Sequence, residues 1–256
     1  MRDYECLLGE VEEAHGIARL VLDRPKRRNA LNRTLVEELK DALAGMVSDA
    51  RVRVVALSGA GEDFCAGADL REIQAAGEEG VEAGLADADA LGELFLLMRR
   101  CPKPIVALVT GRALAGGCGL ATACDLVLAA ESAKFGYPEV HLGFVPAMVM
   151  VMLRRAMGER QALELVALGD TVDAERARDL GLVNRVFPEA EFEAATREYL
   201  EELATRSASA VSLCKRLLYQ IDGIGFEAAI RRGAEVNALA RLTEDCREGV
   251  RRFLDR

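Results

Sequence analysis

Apolar positions change their period along the chain, and the changes mark out strands and helices. Two short β-type runs, residues 4–10 and 17–22, flank a turn near His15-Gly16 and predict a hairpin. A polar, basic loop follows, Asp23-Arg24-Pro25-Lys26-Arg27-Arg28-Asn29. Asn32 is placed to cap a helix, because its side-chain oxygen can accept an N–H of the first turn. Leu35, Leu39, Leu43 and Val47 recur every four residues and give that helix one apolar stripe. Residues 52–58 then read as a strand. Strand and helix patterns alternate to about Pro188, which predicts a layered α/β domain with buried parallel strands. From residue 189 to 256 the period is almost wholly helical, marked by Leu200, Leu203, Leu213, Leu217 and Phe253 and broken at residues 223–225. The expected organisation is an α/β core over residues 1–188 and a helical subdomain over 189–256. Appended helices of this kind suit an oligomer contact. Residues 73–89 are rich in Ala, Gly and Glu with weak periodicity, so a mobile helix or lid is expected there.

Composition narrows the class. Hydrophobic residues make up 51% of 256, enough for a sizeable core and too many for a disordered chain. Net charge is −9 and no basic face is concentrated anywhere, so no nucleic-acid partner is expected, though a local basic pocket for a phosphorylated ligand is compatible. The seven cysteines include no C-x-x-C pair and read as reduced thiols. No basic-then-apolar leader is visible, and no run approaches the ~18 apolar residues of a membrane span. A cytoplasmic protein without a membrane partner is expected. Metal-spaced His/Cys clusters, a P-loop and a Ser/His/Asp order are all missing, so no metal or resident cofactor is expected.

Two turns carry the candidate chemistry. Phe64-Cys65-Ala66-Gly67-Ala68-Asp69-Leu70 and Gly111-Arg112-Ala113-Leu114-Ala115-Gly116-Gly117-Cys118-Gly119-Leu120 each follow a β-type run and lead into a helix. Each can present a bare backbone N–H where partial positive charge favours an anion. Two such donors facing one point form an oxyanion hole. In the first turn Gly59, Gly61 and Gly67 permit a positive φ, and Asp69 can cap the next helix; the same features also fit a plain tight turn. In the second, three glycines stand where a helix begins, at about 1 kcal/mol each relative to alanine, so another helix or a ligand must come close. Gly117-Cys118-Gly119-Leu120-Ala121-Thr122 half-matches a dinucleotide fingerprint but lacks its last glycine. Glu139 stands among Tyr137, Val140, Leu142 and Phe144; desolvation there would raise its pKa toward the acid–base range, whereas a surface turn would leave it ordinary. His141 is either a proton carrier or a structural histidine.

In this order the motifs closely resemble the crotonase (enoyl-CoA hydratase/isomerase) family. The resemblance begins in Leu20-Val21-Leu22-Asp23-Arg24-Pro25 and Arg28-Asn29-Ala30-Leu31. It continues through both turns and Phe135-Gly136-Tyr137-Pro138-Glu139. Gly181-Leu182-Val183-Asn184-Arg185-Val186 and the terminal Gly249-Val250-Arg251-Arg252-Phe253 complete it. It implies a spiral of ββα units whose C-terminal helices trimerise, as a homotrimer or a dimer of trimers. It implies that the N–H groups of Ala68 and Gly116, next to Gly117, hold the thioester oxygen of an acyl-CoA, and that Glu139 is the acid/base. By the same likeness Arg24, Ala30, Leu31, Ala66, Asp69 and Leu70 line the coenzyme A and substrate site, and Lys26, Arg27 or Arg28 meet its phosphates. Phe253 and Arg256 resemble residues that close over the nucleotide from a neighbouring subunit.

One departure is plain. Two-glutamate hydratases of the family carry a glutamate where this chain has Gly119. Glu139 must then serve both proton transfers of a hydration in turn, or be helped by a water, another side chain or a carboxylate between Glu72 and Glu82. Isomerisation needs only one carboxyl. Hydration, isomerisation, another enolate reaction such as decarboxylation or hydrolysis, and a non-catalytic acyl-CoA-binding scaffold are the readings the sequence leaves open.

Overall fold

The computed structural model describes residues 2–255. β1 (Leu7–Glu12) and β2 (Ile17–Leu22) form the hairpin, in register from Leu7↔Leu22 to Glu12↔Ile17. It opens later than the apolar run from Tyr4 predicts, because the Glu38 carboxylate takes the N–H groups of Glu5 and Cys6 at 2.7 and 2.8 Å. α1 (Arg33–Ser48) is capped as expected, Asn32 Oδ1 accepting the Leu35 N–H at 3.0 Å. Its buried stripe runs through Leu35, Leu39 and Leu43 to Met46. Val47 drops out because a 3.6-residue turn drifts off a strict four-residue spacing.

Then come β3 (Val54–Gly59), α2 (Leu70–Glu79), α3 (Val81–Arg100), β4 (Ile105–Val109), β5 (Arg112–Leu114) and α4 (Gly116–Ala123). β6 (Leu126–Ala130), β7 (Lys134–Gly136), α5 (Ala147–Ala156), α6 (Glu159–Leu168), β8 (Thr171–Asp173), α7 (Ala174–Leu180) and β9 (Arg185–Phe187) complete the α/β part. Four helices close the chain: α8 (Phe192–Thr205), α9 (Ala208–Gln220), α10 (Phe226–Ala240) and α11 (Glu244–Leu254).

A six-stranded sheet runs in the order β1-β2-β3-β4-β6-β9, parallel except for the hairpin. Both faces are covered, which is why its strands read as continuous apolar runs. On β3, Val55 and Leu57 enter the main core with α1 and α3, while Val54 and Ala56 face a second cluster that includes Leu200 of α8. A smaller sheet, β5-β7-β8, stands apart and pairs Leu114 with Gly136. The stretch expected as a mobile helix is two helices broken at Gly80, whose φ of 107° favours glycine.

α9 is tied to the core by a buried ion pair. Lys215 Nζ donates to Asp125 Oδ2 (2.7 Å) and to the carbonyls of Met98 and Lys103 (3.0 Å each). Tyr219 Oη and the Ile105 N–H supply the remaining donors to Asp125. A lysine with three acceptors tolerates such burial; one without them would not. Among the described residues no helix is long and apolar enough to cross a membrane, and no cluster of His, Cys, Asp or Glu could hold a metal ion.

Candidate active site

The first turn is clamped from both sides. Leu31 N–H donates to Gly67 O (2.7 Å) and Asp69 N–H to Leu31 O (2.8 Å), while Cys65 N–H donates to Arg112 O and Leu114 N–H to Cys65 O. Gly61 and Gly67 do adopt positive φ, 80° and 103°. Gly59 does not: its glycine is required because a Cβ there would lie 2.4 Å from the carbonyl oxygens of Asp63 and Phe64. Ala68 lies between these clamps, and its own N–H has no acceptor among the described residues.

The second turn is joined to the first through the small sheet. Ala115 N–H donates to Gly136 O at 2.8 Å, and Ala115 itself sits at φ 50°, a strained conformation for a residue with a Cβ. That strain aims the next peptide at the start of α4, where Gly116 N–H is free as helix geometry leaves it. The two free amides are neighbours. A Cβ on Gly116 would stand 3.5 Å from Ala68 N, and one on Gly67 3.3 Å from Gly116 N. The question of what approaches the other glycines has an answer within the chain. A Cβ on Gly117 would be 2.2 Å from Cys65 O, and one on Gly119 2.6 Å from Val149 Cγ2 and 3.7 Å from Phe95 Cζ. Backbone and helix packing, rather than a dinucleotide, account for those two.

Glu139 follows β7, on the 3₁₀ turn Pro138–Leu142, which Gly143 closes in a left-handed conformation. Tyr137, fully buried, bonds Thr122 Oγ1 at 2.8 Å, and Thr122 returns to Cys118 O. The segment bearing Glu139 is thereby fixed to α4. Glu139 is only 8% exposed, and its Oε2 is buried with no hydrogen-bond partner among the described residues. Burial raises its pKa, with only its own backbone N–H opposing. Burial raises the Tyr137 hydroxyl and the Cys118 thiol, and the Glu139 charge adds a smaller upward push to both. Burial pushes the Cys65 and Cys118 thiols up to about 12, so neither supplies a thiolate near neutral pH. His141 is held at the surface with Nε2 2.9 Å from Leu168 O, a structural role.

The loop from Arg24 to Leu31 lies against both turns. Arg24 is not a free cation: it pairs with Asp69 Oδ2 at 3.1 Å and donates to Ala30 O. Burial pushes the Asp69 carboxyl up, but the Arg24 and Arg71 hydrogen bonds hold it below its ordinary value, and it caps α2. Lys26, Arg27 and Arg28 are exposed beside this pair. Leu31 is buried next to Gly116, Ala66 is half-buried with its N–H on Arg28 O, and Leu70 is exposed. Phe253 is exposed on α11, and Arg256 lies outside the described residues.

Asn29 is not among the site residues expected from the sequence. It is fully buried at φ 54°, its Nδ2 donating to Ala60 O and Asp63 O and its Oδ1 accepting the Arg24 N–H. It joins the basic loop to the first turn. An asparagine ending a charged loop, able to adopt a left-handed conformation, was the available signal. Of the carboxylates between 72 and 82, Glu72 is occupied by the Arg33 N–H at 2.8 Å.

Residues 12–256 match the family model described as Enoyl-CoA hydratase/isomerase. The chain is 41% identical over 247 residues, 96% of its length and 97% of the relative's, to a Thermus thermophilus protein named provisionally as an enoyl-CoA hydratase. It is 35% identical to the 2,3-dehydroadipyl-CoA hydratase of Escherichia coli, over 93% of this chain and 91% of that one. The solved enoyl-CoA hydratase of Mycobacterium smegmatis superposes with a TM-score of 0.94 at 31% identity, covering 98% and 96% of the two chains.

Proposed function

Because the chain belongs to the enoyl-CoA hydratase/isomerase family, we propose that it adds water across the double bond of an α,β-unsaturated acyl-CoA. The observation that carries this reading is the pair of unpartnered amides at Ala68 and Gly116, with a desolvated, partnerless carboxyl following the strand that pairs with β5. The thioester oxygen sits on the two N–H groups, which are fixed before any substrate arrives and stabilise the charge that develops there. The Glu139 carboxylate takes a proton from water as its oxygen bonds to the β-carbon. The double-bond electrons move onto the thioester oxygen as an enolate. Glu139, now protonated, returns that proton to the α-carbon, and the carboxylate is regenerated. A raised pKa suits a group that must accept and release a proton in one turnover.

A single carboxyl also favours isomerisation, in which Glu139 lifts a proton from one carbon and returns it to another. The space beside Gly119 is filled by Val149, so a second acid does not come from that position. We further propose that Lys26, Arg27 and Arg28 meet the phosphates of coenzyme A, that no other cofactor is needed, and that the protein is cytoplasmic. The exposed Leu218, Phe226, Ile230 and Leu239 support trimer formation through α9 and α10. Incubation with crotonyl-CoA and with a 3-enoyl-CoA in D₂O tests the chemistry. The expected result is a 3-hydroxyacyl product with deuterium at the α-carbon. Transposition of the 3-enoyl bond without water addition would establish the isomerase instead. Tight binding with neither product nor exchange would leave a scaffold.

A further inference from the structure

α4 begins at the Gly116 amide and ends at a cavity of about 540 Å³ whose lining includes Thr122 and Ala123. From Gly116 to Thr122 the helix advances about 9 Å. Gly119 lies between these ends, and the space its side chain would take is filled by Val149 from α5 and Phe95 from α3. Phe95 belongs to both regions: its ring tip faces Gly119, and the residue also lines the cavity with Leu96, Met148 and Met152. Both wall residues are nearly sealed from solvent, 8% and 4% exposed. An acyl chain whose thioester rests at the head of α4 therefore meets branched and aromatic carbon within a turn of helix. Behind it lies room with an apolar wall of Leu96, Met148, Val151 and Met152, along which a hydrocarbon tail could lie, and a charged side where Asp222 pairs Arg99 and Arg155.

We propose that Phe95 and Val149 are the end wall of the acyl site and restrict the enzyme to short-chain enoyl thioesters. The cavity behind Phe95 is the space that longer chains enter when the wall is cut back. This rests on the enoyl-CoA reading above. A medium-length tail cannot displace Phe95 cheaply, because close-packed interiors accept extra methylenes only with strain.

The test compares kcat/KM on crotonyl-CoA and trans-decenoyl-CoA for the wild type, Phe95→Ala, Phe95→Leu and Val149→Ala. Binding of butyryl-CoA and decanoyl-CoA is measured by calorimetry in parallel. The wild type is expected to prefer the four-carbon substrate. The decenoyl-to-crotonyl ratio is expected to rise at least about 10-fold in Phe95→Ala, and by less in the two milder variants. The binding preference should move the same way. A wild type that favours decenoyl-CoA overturns the proposal, as do unchanged ratios in folded Phe95→Leu and Val149→Ala. If no enoyl-CoA is turned over but the variants still shift binding toward decanoyl-CoA, the wall stands and the hydratase reading falls.

Discussion

Replacing Glu139 with Gln separates a catalytic carboxyl from a structural one, because the two roles move activity and stability differently. Glu139 is 8% exposed and its Oε2 has no hydrogen-bond partner, so folding with the charge in place costs more than folding with a neutral amide. A buried polar atom without a partner costs about 1–3 kcal/mol, more when charged. Removing the charge should therefore stabilise the fold by on the order of 1 kcal/mol at pH 8, or roughly 2–4 °C in a domain of this size. The sign follows from the raised pKa. A carboxyl whose folded pKa lies above its unfolded value favours the native state at low pH and loses that contribution as pH rises through the folded pKa. The gain in Glu139→Gln should thus be largest in mild alkali and vanish below the unfolded glutamate value of about 4.3. Activity should move the other way. Loss of the proton carrier lowers kcat by about 10²-fold or more, some 2.7 kcal/mol of transition-state stabilisation, while acyl-CoA binding is kept. Melting curves between pH 4 and 8, steady-state rates and calorimetric titration read all three on one preparation. Near-wild-type turnover, or a variant less stable at pH 8, would refute the reasoning.

Three further outcomes follow from contacts already described. Gly117→Ala should destabilise by about 1–3 kcal/mol in urea melts and displace the Gly116 amide, lowering kcat more than it raises KM, since its Cβ would meet the Cys65 carbonyl. Gly119→Glu alone should be less stable and no faster at hydration, and pairing it with Val149→Ala should recover stability, because Val149 Cγ2 occupies the space that side chain needs. Exchanging Lys26, Arg27 and Arg28 for Ala should raise KM for acyl-CoA and flatten its dependence on salt, while KM for the matching pantetheine thioester, which lacks the nucleotide phosphates, stays where it was.

Much of this could be read from the chain. The Asn32 cap, the hairpin and the helix at Gly116 obey local rules, because each depends on residues within a turn or two of itself, and the parallel strands showed as apolar runs because both their faces are covered. The two turns were legible as amide donors for the same reason. What each glycine is for was not. Gly59, Gly117 and Gly119 answer to Phe64, Cys65 and Val149, and only the folded backbone decides which atom stands opposite a missing Cβ. Arg24, expected along the coenzyme A site, is the partner of Asp69, forty-five residues away, a pairing that no spacing announces. Glu139 is buried as its setting suggested, but of the neighbours expected to shield it only Tyr137 is buried, while Val140, Leu142 and Phe144 are exposed; the orphaned Oε2 depends on the folded chain around it.

The Lys215–Asp125 pair has a consequence for how the chain matures. Asp125 closes the amide at the head of β4, and the ammonium that neutralises it is encoded ninety residues later. Domains emerge from the ribosome amino end first. A nascent chain that has released every strand holds the Asp125 carboxylate on the Ile105 N–H alone, without its ammonium and phenol partners, until α9 arrives. The last step of assembly is then electrostatic, and shortened products that stop before residue 215 carry a built-in mark of incompleteness.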